Sequence, residues 1–346
     1  MFKKFDKENM FESIWSFSEN IKDALKIGDS IELKNKYDNI QNIVIAGMGG
    51  SAIGGDVVSV LERLNINIPY AVCRDYSIPK WVNKNSLVIC SSYSGNTEET
   101  LSAFYQSLDR GANICGITTG GTLLEKLKEY KKDYITIPSG LQPRAALAYS
   151  FIPIIKLLEK SSIFKSDINL WIRSAIKTLE KNRDIYSLES DDNPVYRLAY
   201  RIYKKIPIIY SDNSTMRINA IRLKGQINEN SKMLAYCNEI PELNHNEIVG
   251  WQNNSEIFKD LCVIWLEDSH DNKRNKIRKQ ITESILNDIE IEQYSIQMDG
   301  DTFQERFLNM IHYGDWLSFW CAIFHKTDPS PVDKIVKLKN ILSSKP

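Results

Sequence analysis

Hydrophobic positions from residue 40 onward alternate between short continuous runs and longer helical periods. The first run, NIVIA at 42–46, is rich in β-branched residues and ends in glycines. Such alternation is typical of a parallel β-sheet whose strands are connected by helices. It predicts strands at 42–46, 70–73, 87–90, 112–117 and 134–137, and helices at 51–64, 98–108, 123–130 and 144–158.

The same rhythm returns after a polar helical stretch, which ends in the turn-forming segment SDDNP at 190–194. It predicts strands at 206–210, 233–237, 261–266 and 289–296, and helices at 215–229, 273–286 and 303–324. No close sequence repeat is visible, although the predicted architecture is duplicated. We expect an N-terminal helical extension at 1–39, an α/β domain at 40–160, a helical linker at 161–192 and a second α/β domain at 193–346.

Composition agrees with an ordinary globular enzyme or binding protein of two domains, since 346 residues exceed one typical core. The 44 Lys and Arg residues balance the 44 Asp and Glu residues, which argues against a nucleic-acid partner bound through bulk charge. No apolar run approaches the roughly 20 residues that span a bilayer. The N-terminus turns polar where a signal peptide needs an apolar segment. We therefore expect a cytoplasmic protein with no membrane partner.

Cysteine and histidine usage gives little material for a metal site. The six cysteines are far apart with no C-x-x-C pair, and the chain has four histidines. Free cysteine packs as a small hydrophobic residue, so buried structural thiols are the simpler interpretation. We expect neither a metal nor another cofactor.

The first candidate site is the glycine loop GMGGSA at 47–52, which follows a strand and opens a helix. Backbone N–H groups at a helix N-terminus attract an anion. The match to G-x-G-x-x-A alone is weak, because glycines at a helix start also serve packing. A dinucleotide site with Asp75 on the ribose remains an alternative, and phosphate binding is favoured.

A second loop, SSYSGNTEET at 91–100, follows the strand at 87–90 and opens the next helix. The hydroxyls of Ser92, Ser94 and Thr97 surround a glycine, and the helix dipole favours negative charge there. A helix N-cap needs only one of these hydroxyls. Because no G-K-[ST] follows either loop, the pattern favours a phosphomonoester over a nucleoside triphosphate.

The two loops together resemble the sugar isomerase (SIS) fold, and more narrowly the family of bifunctional phosphoglucose/phosphomannose isomerases. The resemblance is carried by GMGGSAIGG at 47–55, SYSGNTEET at 92–100, PSGLQPR at 138–144, NENSK at 228–232, PELNHNE at 241–247, and DP at 328–329 with LK at 338–339. It runs from about residue 40 to the C-terminus. It implies an α/β fold of two SIS-type domains, each a mostly parallel sheet flanked by helices in an α-β-α sandwich.

The resemblance implies isomerisation of glucose 6-phosphate, and of mannose 6-phosphate as a second substrate, to fructose 6-phosphate through an enediolate. This reaction belongs to glycolysis and gluconeogenesis and needs a phosphate site, a ring-opening group, a base and stabilisation of the enediolate. By resemblance, substrate is bound by Gly50, Ser51, Ser92, Ser94, Thr97 and Arg144. Arg144 suits an electrostatic role because its guanidinium keeps its charge. A cation at a predicted helix start is unfavourable because it opposes the helix dipole, which favours a functional role over that of a surface arginine.

The resemblance assigns the catalytic roles to the second domain. Glu229 is the general base, and His245, supplied by the partner subunit, protonates the ring oxygen. Lys339 matches the lysine that neighbours this histidine. A homodimer with shared active sites follows. The alternative that stays open is a non-catalytic phosphosugar sensor. A glucosamine 6-phosphate synthase is not expected, since it would need an N-terminal nucleophilic cysteine domain and none precedes residue 40.

Overall fold

The chain folds into two compact units in a computed structural model that describes residues 2–345. The first unit comprises Ser16–Ile176, and the second comprises Met1–Trp15 together with Lys177–Pro346. The predicted segment boundaries at 39, 160 and 192 stay predictions. No helix among residues 2–345 combines the length and apolar character that crossing a bilayer requires.

Parallel strands alternate with helices in both units. The strands are β1 (Asn42–Ala46), β2 (Tyr70–Cys73), β3 (Ser86–Ser92), β4 (Asn113–Thr118), β5 (Asp133–Thr136), β6 (Ile206–Asp212), β7 (Tyr236–Ile240), β8 (Leu261–Glu267) and β9 (Gln293–Gln297). The α-helices are α1 (Met10–Trp15), α2 (Phe17–Asp29), α3 (Gly49–Leu61), α4 (Glu98–Asp109), α5 (Gly121–Glu129), α6 (Ala148–Lys160), α7 (Ile168–Tyr186), α8 (Pro194–Ile202), α9 (Arg217–Gln226), α10 (Glu247–Gly250), α11 (Lys273–Asp288), α12 (Phe303–Phe324) and α13 (Asp333–Ser343). Short 3-10 turns lie at Phe2–Lys4, Pro143–Ala145, Glu242–His245 and Ser255–Asp260, and a π-helical turn at Ile227–Ser231.

The first unit is built on a five-stranded parallel sheet in the order β2-β1-β3-β4-β5. One face of the sheet, which includes Val44, packs with buried residues of α4 and α5 such as Phe104 and Leu127. On the other face, α3 approaches so closely that a Cβ at Gly55 would lie 2.9 Å from Cγ2 of Ile45. Helices therefore cover both faces, which explains why the strands read as continuous apolar runs.

The second unit repeats this topology with four parallel strands in the order β7-β6-β8-β9. Trp265 and Leu286 belong to one buried cluster, which places α11 on that face of the sheet. Helix α12 packs against α8 and α9 and is buried along almost its whole length. The predicted fold class, two α/β domains with mostly parallel sheets flanked by helices, is confirmed.

Both sheets contain a switch point, where successive connections leave in opposite directions. It lies between β1 and β3 in the first sheet and between β6 and β8 in the second. In sheets of this kind, ligands bind in the crevice at the carboxyl ends of the two strands. The glycine loop and the serine loop predicted from sequence follow β1 and β3, so both border the first crevice.

Four predicted elements differ clearly from the structure. The strand predicted at 289–296 is confined to Gln293–Gln297, because residues 289–290 form a turn after α11. The helix predicted at 144–158 begins at Ala148, because Pro143–Ala145 forms a separate 3-10 turn closed by a bond from Ala146 N–H to Pro143 O (3.3 Å). The helix predicted at 215–229 ends as an α-helix at Gln226 and continues as the π-helical turn. The strand predicted at 233–237 lies three residues later, at Tyr236–Ile240.

Helix α8 was not predicted, although its signal was present. Asn193 caps it through its side-chain oxygen, which accepts hydrogen bonds from the N–H groups of Val195 (2.9 Å) and Tyr196 (3.3 Å), and Pro194 is the first helical residue. Asn before Pro is a favoured helix start. The sequence interpretation treated the same residues only as a boundary.

Candidate active site

The serine loop after β3 is held in one conformation by its own hydroxyls. Ser92 Oγ lies 2.9 Å from Thr97 Oγ1 and accepts a hydrogen bond from Gly95 N–H (3.1 Å). Ser94 is exposed, and its Oγ accepts from Asn96 N–H at 3.2 Å. Thr97 occupies the N-cap position of α4, but its side chain makes no capping bond. Thr97 is therefore the residue at the cap position, but its hydroxyl bonds to Ser92 instead of to the helix backbone.

Gly95 fits this loop because no larger residue could. Its φ is +73°, and an added Cβ would lie 1.8 Å from the carbonyl oxygen of Gly120 in the loop after β4. The two loops are further joined by bonds from Leu123 N–H to Gly95 O (2.8 Å) and from Thr122 N–H to the side-chain oxygen of Asn96 (3.0 Å). The hydroxyls are thus presented from a rigid support.

The glycine loop lies against both neighbouring segments of the first unit. A Cβ at Gly47 would approach the carbonyl oxygen of Ser91 to 2.8 Å, and one at Gly50 would approach the carbonyl oxygen of Pro143 to 2.7 Å. Ser51, in the first turn of α3, accepts a bond at its carbonyl oxygen from Ser150 Oγ (3.1 Å). The structure therefore brings the 47–51 loop next to the serine loop and next to the segment that carries Arg144.

Arg144 lies in the 3-10 turn, where it is 5% exposed. Because this turn precedes α6, Arg144 is not in the first turn of that helix, and the predicted conflict with the helix dipole does not arise. The preceding segment is tied to the serine loop, since Leu141 N–H donates to the hydroxyl of Tyr93 (3.0 Å). Arg144 is thus a buried cation next to the glycine loop and the serine loop, both of which are predicted to bind an anion. It is suited to stabilise negative charge.

Glu229, the predicted base, lies in the π-helical turn and is half-buried. Its backbone oxygen accepts a bond from Lys232 Nζ (2.6 Å), which also donates to the carbonyl oxygen of Pro329 (3.0 Å). Lys232 itself adopts the left-handed conformation (φ 57°) that ends the turn. A π-helical turn is rare and is frequent at functional sites.

Buried polar bonds from α12 fix the position of this turn. Asn230 Nδ2 donates to Ser318 Oγ (2.9 Å), and Ser231 Oγ donates to the carbonyl oxygen of Ser318 (2.6 Å). About two turns earlier, a terminal nitrogen of Arg222 donates to both carboxylate oxygens of Asp315, at 2.9 and 2.8 Å. Residues on either side of Glu229 are therefore anchored, which holds its backbone in place.

His245 is exposed at the end of the 3-10 turn Glu242–His245. The turn is anchored by buried Leu243 and by a bond from Asn244 Nδ2 to Thr282 Oγ1 of α11 (2.9 Å). Glu247 accepts hydrogen bonds from the Tyr210 hydroxyl and from Asn238 Nδ2. Burial, followed by the charge of Glu247, raises the pKa of Tyr210, so this tyrosine acts as a hydrogen-bond donor.

Lys339 lies on α13, whose side chains at 333–342 are all exposed. The second unit thus carries Glu229, His245 and Lys339 on three separate elements. In the first unit, by contrast, the predicted residues Gly50, Ser51, Ser92, Ser94, Thr97 and Arg144 all lie in segments that contact one another at the carboxyl edge of the sheet.

Sequence reasoning did not single out two residues in or next to the serine loop. Tyr93 joins the serine loop to Leu141, and burial raises the pKa of its hydroxyl. Thr100 is 1% exposed, and its Oγ1 has no hydrogen-bond partner within residues 2–345. Its signal in the sequence was a further hydroxyl after Thr97. Among the described residues, no group of three or more His, Cys, Asp or Glu side chains could hold a metal ion.

Solved structures show which class of fold this is. The C-terminal domain of glucosamine-fructose-6-phosphate aminotransferase from Francisella tularensis aligns with a TM-score of 0.72 at 14% identity, covering 93% of this chain and 98% of that chain. Tagatose-6-phosphate ketose/aldose isomerase from Escherichia coli aligns with a TM-score of 0.64 at 12% identity, covering 93% and 95%. A family model described as "Bacterial phospho-glucose isomerase C-terminal SIS domain" matches residues 191–342. The fold is that of a two-domain SIS protein.

Curated relatives narrow this class to one family. The bifunctional phosphoglucose/phosphomannose isomerase of Caldicellulosiruptor bescii is 43% identical over 336 residues, which cover 96% of this chain and 99% of the relative. The protein of the same name from Aquifex aeolicus is 38% identical and covers 87% and 90%. The chain belongs to the family of bifunctional phosphoglucose/phosphomannose isomerases.

Proposed function

We propose that this protein interconverts glucose 6-phosphate and mannose 6-phosphate with fructose 6-phosphate. The proposal is carried by the hydroxyl-lined loop at the first switch point in a chain of this family. It is strengthened by the presence, in the second unit, of a carboxylate on an anchored turn and an exposed histidine. A pure phosphosugar sensor would need the loop but would have no use for the base.

Phosphate binding is assigned to the serine loop. The hydroxyls of Ser92, Ser94 and Thr97 donate to the phosphate oxygens, and the first turn of α4 adds backbone N–H donors and its dipole. The bond between Ser92 and Thr97 keeps two of the hydroxyls together before the substrate arrives. Gly50 and Ser51 are assigned to the sugar, and this assignment is supported by the packing of Gly50 against the backbone of Pro143 and Arg144, next to the proposed charge-stabilising guanidinium.

Glu229 is proposed as the base for both aldoses. Glucose 6-phosphate and mannose 6-phosphate differ only at C2, where the carboxylate takes the proton. The electrons of the C2–H bond then form a C1=C2 double bond, and the carbonyl electrons move onto O1. Arg144 stabilises that negative charge. Return of the proton to C1, with loss of the O2 proton as the C2 carbonyl forms and protonation of O1, gives fructose 6-phosphate.

Ring opening is proposed for His245, with Lys339 beside it. An imidazole can both donate and accept a proton, so it can give a proton to the ring oxygen and take one back. Its exposure at the end of a turn is compatible with use by a second copy of the chain, in a homodimer with shared sites. A cytoplasmic location is supported by six cysteines that are all free.

The decisive experiment is a coupled assay of Glu229→Gln with fructose 6-phosphate, in which glucose 6-phosphate and mannose 6-phosphate are measured separately. The amide keeps the size but cannot accept the proton, so both rates should fall together by ~10²–10⁴. Deuterium incorporation from solvent at C2 of the glucose product should fall in parallel, while a phosphosugar inhibitor still binds. The matched control is Glu256→Gln, at an exposed carboxylate of the same unit.

Three outcomes would contradict the proposal. A wild-type protein that binds phosphosugars but turns over neither substrate is a sensor. Loss of only one of the two isomerisations in Glu229→Gln would mean two different bases. Absence of any activity when Glu229→Gln is mixed with His245→Ala, with subunit exchange shown independently, would place both groups in one chain rather than in a shared site.

A further inference from the structure

Tyr93 connects three loops at the carboxyl edge of the first sheet. Its backbone oxygen accepts hydrogen bonds from the N–H (3.2 Å) and from the hydroxyl (2.8 Å) of Thr119, in the loop after β4. Its own hydroxyl accepts a hydrogen bond from the N–H of Leu141 (3.0 Å), in the segment after β5. The bonds from Thr119 use a backbone oxygen, which any residue at position 93 would supply. The bond from Leu141 requires the tyrosine hydroxyl.

The first half of the segment after β5 has little packing of its own. Pro138, Ser139 and Gly140 are all exposed. A Cβ added at Gly140, where φ is +99°, would meet no atom within 4 Å. The chain becomes half-buried again at Leu141, the residue whose N–H is bound by Tyr93. The tyrosine hydroxyl therefore holds the segment at the point where it returns to the site.

The 3-10 turn that carries Arg144 begins directly after this bond. Ala145 N–H donates to the carbonyl oxygen of Gln142 (2.8 Å), so the turn starts at the residue that follows Leu141. On another side the turn lies against Gly50, whose added Cβ would approach the carbonyl oxygen of Pro143 to 2.7 Å. A charged group stabilises a reacting centre only if it is held within about 0.5 Å of the productive position. The contacts that fix this turn therefore matter for catalysis.

We propose that Tyr93 is a positioning residue for Arg144: its hydroxyl fixes the turn that carries the guanidinium, and so sets the rate of enediolate formation without binding the phosphate. Burial raises the pKa of this hydroxyl, so it stays protonated at neutral pH and the bond from Leu141 persists. The inference rests on the role proposed above for Arg144 and does not depend on which residue is the base.

The first test separates kcat from KM. Tyr93→Phe keeps the ring and removes only the hydroxyl, so kcat with fructose 6-phosphate should fall ~10-fold while KM changes less than ~3-fold. Formation of glucose 6-phosphate and of mannose 6-phosphate should fall by the same factor, because both pass through the same type of enediolate. Tyr105→Phe, at an exposed tyrosine of α4, is the matched control and should change neither constant. A rise in KM with unchanged kcat would mean that the hydroxyl binds substrate directly, which overturns the inference.

A double-mutant cycle tests whether Tyr93 acts through Arg144. Arg144→Met removes the guanidinium and should lower kcat by ~10²–10³. If Tyr93 serves only to position that guanidinium, then adding Tyr93→Phe to Arg144→Met should lower kcat by less than ~2-fold further. A purely structural role of the hydroxyl would instead give the same ~10-fold loss in both backgrounds, and that result overturns the inference.

Amide hydrogen exchange gives a readout that needs no turnover. In Tyr93→Phe, exchange at Leu141 and in the turn at 143–145 should become at least ~10-fold faster, while exchange in α4 stays as in the wild type. Unchanged exchange at Leu141 overturns the inference even if kcat falls. A wild-type protein without isomerase activity would refute the proposed function, and the exchange rates would still decide whether the Tyr93 hydroxyl holds the turn of Arg144.

Discussion

The crevice between β1 and β3 and the crevice between β6 and β8 occupy the same place in sheets of the same strand order, yet they are lined by different chemistry. The first is bordered by glycines and hydroxyls and by buried Arg144. The second is bordered by three carboxylates, Asp212, Asp268 and Asp271. Equivalent topology therefore does not make equivalent sites.

Carboxylates in the second crevice already occupy its hydrogen-bond donors. Asp212 accepts from Ser214 N–H (2.7 Å), from Asn272 N–H (3.2 Å) and from Asn275 Nδ2 (2.8 Å). Asp268 is held by the guanidinium of Arg306 (2.6 Å to Nε). Backbone N–H groups that could bind a phosphate therefore donate to carboxylates of the protein itself. The fold supplies the crevice, and the loop residues decide whether a ligand or the protein itself fills it.

The largest expected effect comes from disrupting the contact between the loops after β3 and β4, which supports the hydroxyls at the first crevice. Gly95→Ala combines a strained backbone (φ +73°) with a Cβ 1.8 Å from the carbonyl oxygen of Gly120. We expect KM for fructose 6-phosphate to rise at least ~100-fold and the free energy of unfolding to fall by more than ~3 kcal/mol. The matched control is Gly111→Ala, which has φ +65° but no atom within 4 Å of the added Cβ. The free energy of unfolding of both variants is measured by urea denaturation. If it falls equally in the two, the close contact with Gly120 does not contribute to the loss of stability.

A smaller effect should follow from removing hydroxyls while keeping the loop. Ser94→Ala and Thr97→Ala should each raise KM by roughly 10- to 150-fold, since a hydrogen bond to a charged group contributes ~1.5–3 kcal/mol. Ser214→Ala, at the second crevice, should leave KM unchanged, because that hydroxyl already donates to Asp212 (2.6 Å). If Ser214→Ala raises KM as much as the first two variants do, then the phosphate is not bound by the serine loop.

The smallest effect concerns stability and pH in the second crevice. Burial raises the pKa of Asp271 from 3.8 to about 6, and the charges of Asp212 and Asp268 add to the shift. The folded protein then holds a proton that the unfolded chain releases near pH 4. This group therefore makes the free energy of unfolding fall as pH rises from about 4 to about 6. Asp271→Asn should remove that fall, which amounts to about 1–2 kcal/mol after allowance for partial exposure.

Denaturant titrations of Asp271→Asn and wild type at pH 4, 5, 6 and 7 measure this difference. The difference in unfolding free energy should change with pH only over this interval. A constant offset at all four values would mean that Asp271 ionises normally in the folded protein. Glu290→Gln, an exposed carboxylate at a turn, serves as the control and should follow wild type.

The sequence was sufficient for the first crevice because its signals are local. An apolar run followed by glycines or hydroxyls predicts a strand, a tight turn and a helix start within ten residues. Arg144 was predicted as a site residue, but its 3-10 turn was not, because that turn depends on the close contact of Gly50 with Pro143, more than ninety positions away. The order of strands also had to come from the structure.

The second crevice could not be predicted because its chemistry is non-local. Asp212, Asp268 and Asp271 lie more than fifty positions apart at the extremes, and each reads alone as an ordinary turn residue. Only the pairing of β6 with β8 places them together. The π-helical turn was similarly hidden, since Asn230 and Ser231 find their partner Ser318 on α12, nearly ninety positions later.

The π-helical turn at Ile227–Ser231 also limits which insertions and deletions the preceding helix can accept. Each residue of an α-helix advances the side chains by about 100°. Deleting a single codon between Arg217 and Gln226 would therefore rotate Glu229 away from its present direction, while Asn230 and Ser231 would lose Ser318. The connection at 161–167 lies between α6 and α7, so a change of length there rotates no side chain within a helix, although buried Phe164 and the bond from Ser166 to Glu62 (2.9 Å) fix part of it. Chimaeras of this family should accordingly tolerate crossovers and indels in that connection far better than within the fifteen residues from Arg217 to Ser231.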